Sequence, residues 1–136
     1  VAAICIAGAG DLPAILDLWK RAGTEPGHTD DIESLTKLIA HDPGALLIAV
    51  EDETIAGSVI AAWDGWRGSI YRLAVAPSHQ RRGLGTVLVN AAVKRLRTLG
   101  AVRLQAIAVE TDLQATGFWR ASDWREQAAR LRFTLG

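Results

Sequence analysis

A mixed α/β (α+β) fold in a single domain, residues 1–136, is predicted by three observations. Helical and strand periods alternate along the chain; one strand–helix–strand run is long enough for a parallel crossover; and no linker, repeat or low-complexity tract interrupts the alternation. A chain of this length can bury most of its unfolded surface around one core.

The elements follow in order. Pro13 suits a first helical turn and Asp11 its cap, and Leu12, Ile15, Leu16 and Trp19 recur at helical spacing until Gly23. After the loop "GTEPGHT", Asp30 and Glu33 have capping-box spacing, with Ile32, Leu35, Leu38 and Ile39 behind them and a stop at Pro43 and Gly44. Residues 45–63 read as a hairpin, "ALLIAV" and "TIAGSVIAAW" around "EDE". "DGWRG" turns the chain into "SIYRLAV", residues 69–75, which Pro77 ends. Apolar residues at 84, 87, 88, 91, 92, 96 and 99 mark a long helix that stops at Gly100. "AVRLQAIAV", residues 101–109, is a strand parallel to 69–75 through a right-handed crossover. A helix over 112–122 and a closing strand at "ARLRFTL" complete the reading, giving about four helices.

Composition limits the function classes. No apolar run approaches the roughly 20 residues of a membrane helix, and no basic, then apolar leader is present at the N-terminus, so a soluble, cytoplasmic protein without membrane partners is expected. Cys5 is the only cysteine, which excludes an internal disulfide and a multi-cysteine metal site, and no metal is expected. The chain begins at Val1 and contains no Met, so its start is expected to be processed, trimmed or unobserved. Charge is balanced overall but not along the chain: residues 1–64 carry three basic and eleven acidic groups, residues 65–136 twelve basic and four acidic. Such asymmetry suits a cationic ligand on one side and an anionic one on the other, or simply two halves that attract each other. A nucleic-acid partner is not expected, because net charge is zero and no aromatic residues interleave with Arg81, Arg82, Lys94, Arg95 and Arg97.

The segment "HQRRGLG" before the long helix points to an anion. The opening turn of a helix offers unpaired N–H groups, and Gly83 and Gly85 let a ligand approach the backbone closely. Two phosphate motifs fail on spacing. A dinucleotide loop would need a third glycine where Leu88 stands, and a Walker loop would need a lysine where Thr86 follows Gly85.

What remains, "LAVAPSHQRRGLG", resembles the acetyl-CoA signature of the GNAT family of N-acetyltransferases: Gln or Arg, two residues, Gly, one residue, then Gly or Ala, between the family's fourth strand and third helix. The order of elements and the segment "WDGWRGSIYRLAV" are also similar to the family's small bacterial members. The resemblance implies a mostly antiparallel sheet whose parallel central strands splay apart. It implies acetyl-CoA as co-substrate, with its diphosphate on Arg81, Arg82, Gly83, Leu84, Gly85 and Thr86, and its pantetheine arm and thioester on the backbone of Leu73, Ala74 and Val75.

The fourth-helix motif, "DLQATGFWRASDW", departs from the family's pattern. Asp112 stands in an Asn position, Trp119 in that of the Tyr that assists the leaving thiolate, Asp123 in a Gly position and Trp124 in a Phe position. An indole cannot donate a proton as a phenol does. Ile107 occupies the fifth-strand position where some relatives carry a base. Glu110 and Tyr71 are therefore the catalytic candidates, Glu110 preferred as a carboxylate beside the cleft. Trp63, Asp64, Trp66 and His28 are candidates for the acceptor pocket. The expected activity is acetyl transfer to a primary amine, on a small molecule or a peptide, by direct attack in a ternary complex; the alternative is a non-catalytic acyl-CoA-binding regulatory module. An open sheet edge is compatible with a homodimer.

Overall fold

Strands that follow one another in the chain are neighbours in the sheet. The computed structural model describes residues 2–24, 27–80 and 82–136. Its strands are β1 (Ala3–Ile6), β2 (Leu46–Glu51), β3 (Thr54–Trp63), β4 (Gly68–Val75) and β5 (Leu104–Ala106), and its helices α1 (Leu12–Arg21), α2 (Ile32–His41), α3 (Leu84–Leu99) and α4 (Leu113–Arg120). The sheet runs β1-β2-β3-β4-β5, antiparallel except for the β4–β5 pair. This is the mixed, mostly antiparallel sheet with four helices that the sequence predicts.

Two compact units divide the chain, Val1–Ala106 and Ile107–Gly136. The first contains the sheet and α1 to α3; the second contains α4 and the segment after it.

Period-two alternation sorts the sheet residues between two helical layers. Leu46, Ile48 and Ile60 pack with Leu12, Ile15, Leu18 and Trp19 of α1 and Leu35 of α2. On the other face a Cβ at Gly57 would meet Leu88 and Leu84, and one at Gly68 would meet Leu96, so α3 lies directly on the backbone there. Leu12, Ile15, Leu18, Leu88 and Leu96 are fully buried, each contributing roughly 1.5–3 kcal/mol of transfer free energy. Arg95 of α3 ties the layers together, donating to the Ala61 carbonyl at 2.5 Å and pairing with Asp42 at the end of α2.

Several expectations need correction. Asp11 does not cap α1: its own backbone is already helical, and its carboxylate accepts the Gly8 N–H at 2.8 Å to close a preceding 3-10 turn. The cap of α2 is Asp31 rather than Asp30, with extended backbone and its carboxylate on the Ser34 N–H at 2.7 Å. β5 is three residues long, not nine, because its ladder with β4 ends at Ile70↔Ala106. "ARLRFTL" forms no strand, and Leu131, Phe133 and Leu135 are exposed. Among the described residues its unit contains no other strand, and a lone strand would leave its backbone groups without partners. β1 was not foreseen from residue patterns: it is a short, mostly exposed edge strand with no alternation to reveal it.

Candidate functional site

The site is built on the carboxyl end of β4. Up to Ile70 the strand is paired on both sides; from Tyr71 to Val75 it has no ladder partner on the β5 side among the described residues. A bulge begins at the same point. Ser58 faces Ala74 but Ile60 faces Tyr71, so β4 carries one residue more than β3 across this step. Arg72 absorbs the extra residue with φ +53, a left-handed conformation that costs a side-chain-bearing residue roughly 1–2 kcal/mol.

The bulge inverts the parity of the strand. Before it, Ile70 pairs with Ala61 on the α3 face and Tyr71 with Ile60 on the face of α1 and α2; after it Ala74, an even number like Ile70, pairs with Ser58 on the face of α1 and α2 instead. Tyr71 is there 42% exposed, while Ala74 is buried. Hydrogen bonding fixes which backbone groups point outwards. The Ala76 N–H donates across to the Ala56 carbonyl at 2.8 Å, so by alternation the polar groups of Val75 and Leu73 face away from β3, and those of Ala74 face towards it. The Val75 carbonyl accepts from Gln80 Nε2 at 3.0 Å, which holds the signature loop against the end of the strand.

The loop delivers the chain into α3 through Gly83, whose φ of +77 suits glycine and whose missing Cβ leaves open space within 4 Å. Among the described residues no side chain caps this helix. Its first internal bond is from the Val87 N–H to the Gly83 carbonyl at 3.1 Å, which leaves the N–H groups of Leu84, Gly85 and Thr86 ahead of it as donors. Leu84 is buried and anchors the turn, whereas Thr86 is exposed. Arg82 lies beside this turn, 63% exposed, and Glu51 stands 3.8 Å from it and 3.9 Å from His79. Arg81 lies outside the described residues.

The acceptor candidates of the first unit have local tasks. Asp64 accepts the Trp66 and Arg67 N–H groups, each at 2.7 Å; the Arg67 bond first, then that of Trp66, holds its carboxyl below the ordinary range. The Arg67 guanidinium stands 4.1 Å over the Trp66 ring, and Trp63 and Trp66 line an open depression with Leu99 and Gly100. His28 is exposed in a turn.

In the second unit, Asp112 caps α4 by accepting the Ala115 N–H at 3.1 Å, so Asp performs there the task an Asn would. Trp119 packs edge-on against Phe118 and Trp124, at 5.2 and 4.9 Å between ring centroids. Ile107 and Glu110 are exposed, Glu110 in the turn before α4. Among the described residues no group of three His, Cys, Asp or Glu side chains is placed to hold a metal ion, and no helix is long and apolar enough to cross a membrane.

Sequence reasoning missed two participants. Arg72 gave no signal, because positive φ is foreseen only at glycine, and Ser58 read as an ordinary strand residue although it is fully buried. Gln80 was visible as part of the signature, but not its bond to Val75.

An unpaired strand edge leading into a helix that starts at a glycine is the arrangement that the sequence resemblance implies, and comparison with known proteins supports the resemblance. The sequence matches the Acetyltransferase (GNAT) family over residues 12–123. It is similar to an acetyltransferase of Yersinia pestis (strain Pestoides F), 29% identical over 117 residues that span 86% of this chain and 83% of the relative. In fold it is similar to the aminoglycoside antibiotic 6'-N-acetyltransferase AAC(6')-IG from Acinetobacter haemolyticus, with a TM-score of 0.78 at 17% identity over 98% of each chain. The PaiA N-acetyltransferase from Thermoplasma acidophilum, solved in complex with coenzyme A, gives a TM-score of 0.76 at 14% identity over 89% of this chain and 87% of that one. With most of the chain matched and the fold shared, this protein belongs to the GNAT acetyltransferase family.

Proposed function

We propose that the chain is an acetyl-CoA-dependent N-acetyltransferase that passes the acetyl group to a primary amine by direct attack in a ternary complex. One observation carries the reading: the unpaired edge of β4 and the uncapped start of α3 belong to one continuous segment, Leu73 to Thr86. The N–H groups of Leu84, Gly85 and Thr86, with the charges of Arg82 and Arg81, hold the coenzyme's diphosphate. The outward N–H groups of Leu73 and Val75 hold the pantetheine arm and polarise the thioester carbonyl, while the buried side chain of Ala74 supports them. The coenzyme supplies an activated acetyl thioester and a thiolate leaving group with a pKa near 8.5, roughly that of a free thiol.

The amine must attack in its neutral form. A lysine-like amine is neutral in only about one molecule in a few thousand at pH 7, a handicap of roughly 4–5 kcal/mol that desolvation and a base must offset. Glu110 is the residue we assign to take that proton, and Tyr71 the one to hydrogen-bond the reacting groups from β4. The eleven acidic groups of residues 1–64 favour a cationic acceptor, and an aminoglycoside acetyltransferase among the similar folds is in keeping with that class.

The test is thiol release from acetyl-CoA with spermidine, kanamycin, an alanine-terminated peptide and a lysine peptide. The wild type turns over at least one of these, and Glu110→Gln lowers kcat about 100-fold with acetyl-CoA affinity unchanged. Binding of acetyl-CoA without turnover of any amine would favour the regulatory module, the reading that Ile107 and Trp119 invite.

A further inference from the structure

Arg72 occupies a left-handed position where glycine would fit without strain, and it is held through both its side chain and its backbone carbonyl. The guanidinium grips the Asp30 carboxylate with two nitrogens, Nε to Oδ1 at 3.0 Å and Nη2 to Oδ2. Its carbon stands 5.4 Å from the Trp19 ring centroid. The Trp19 indole donates to Ser58 Oγ at 2.8 Å, and that hydroxyl reaches back to the carbonyl of Arg72 itself at 3.5 Å. The bulge is therefore held from α1 and β3 while its side chain extends to the segment before α2.

Asp30 in turn organises that segment. Its Oδ2 accepts the Gly27 N–H at 2.7 Å, and its own N–H donates to the Gly27 carbonyl at 3.3 Å. Gly27 lies so near the fork that a Cβ there would come within 2.6 Å of Arg72 Nη2. The two charged side chains are only 23% and 17% exposed, so the pair is shielded and its planar, two-pronged geometry defines one arrangement rather than a loose surface contact. Residues 27–31, which include the acceptor candidate His28, are thus fastened to the one point where β4 leaves regular pairing.

We propose that Arg72 is a positioning residue for the acceptor: through Asp30 it sets residues 27–31 against the bulge, so that amine recognition depends on this ion pair and acetyl-CoA binding does not. This inference rests on the acetyl-transfer reading above. It makes the strand that carries the donor and the segment that meets the acceptor one mechanical piece, with Trp19 and Ser58 as its fixed base.

The experiment compares wild type with Asp30→Asn, Arg72→Lys and Gly27→Ala by amide hydrogen exchange, calorimetric titration with acetyl-CoA, and steady-state kinetics with whichever amine of the panel above turns over best. In Asp30→Asn, protection at residues 27–31 drops and the amine KM rises about tenfold, while kcat stays within about threefold and the acetyl-CoA Kd within about twofold. Gly27→Ala, which keeps both charges but displaces the fork, gives the same split, and Arg72→Lys, which keeps the charge but loses the fork, falls between. Unchanged protection at 27–31 in Asp30→Asn overturns the proposal, as does an acetyl-CoA Kd that weakens as much as the amine KM. A wild type that binds acetyl-CoA but acetylates none of the amines defeats the acetyl-transfer reading and with it the acceptor role, whereas loss of protection alone in a working enzyme, with KM unmoved, defeats only the positioning role.

Discussion

Two helices of the first unit begin in opposite ways. At α2 the chain supplies its own finish: Asp31 takes an extended backbone and its carboxylate accepts the Ser34 N–H. At α3 the corresponding place is a left-handed glycine without a side chain, and the donors that follow it are left for something else. The start of α2 contributes to the stability of the fold. The start of α3 is held instead by packing behind it, through the buried Leu84 and Leu88, and by the Gln80 bond to β4. A helix end can thus serve either the chain or a ligand, and the choice is made by the one residue that precedes it.

Exchanging the two designs is the most severe test. Gly83→Asp puts a carboxylate among the donors of α3; Asp tolerates positive φ better than most residues, and its Cβ meets nothing within 4 Å. Acetyl-CoA affinity falls about 100-fold or more by calorimetric titration, from like-charge repulsion with the diphosphate, while the melting temperature changes by no more than a few degrees. Undiminished binding would mean that the loop is only a helix entry. Arg82→Ala sharpens the contrast more gently. That side chain is largely solvated and already has Glu51 nearby, so affinity weakens only about threefold, and titrations at rising ionic strength show a shallower salt dependence than the wild type.

The smallest effect is on the other helix. Asp31→Ala leaves acetyl-CoA affinity as it was and lowers the melting temperature by a few degrees, on the order expected for a lost cap. The bonds from Ser34, backbone first and side chain second, hold the Asp31 carboxyl below its ordinary value of 3.8. A carboxyl depressed in the native state stabilises fully above the unfolded pKa and loses that contribution as pH falls through the native one. The gap in melting temperature between wild type and Asp31→Ala is therefore complete at neutral pH and closes below about pH 4, near the unfolded carboxylate pKa. A gap that widened in acid would reverse the assignment.

Much of this was legible in advance, and the failures have physical reasons. The crossover, the anion loop and its glycines declare themselves through local chemistry: a period, a stop, a residue without a side chain. The choice between Asp30 and Asp31 could not be read locally, because it is settled by Arg72, 42 residues away, which engages the first and leaves the second to cap. The bulge was hidden for the same reason: its left-handed residue is held by Trp19, Ser58 and Asp30 rather than chosen for its own backbone preference. "ARLRFTL" shows the reverse case, an alternating pattern that needs an edge its own unit does not provide.

A strand edge without a partner can serve as a template on which any extended chain adds itself, and among the described residues the β5 side of Tyr71–Val75 is such an edge. A stranger adding there would have to follow a one-residue register slip and a left-handed kink at Arg72, which a flat strand cannot do. The distortion that readies β4 for a small ligand therefore also discourages polymerisation, and a change that straightened the strand would trade a binding surface for a seed of aggregation.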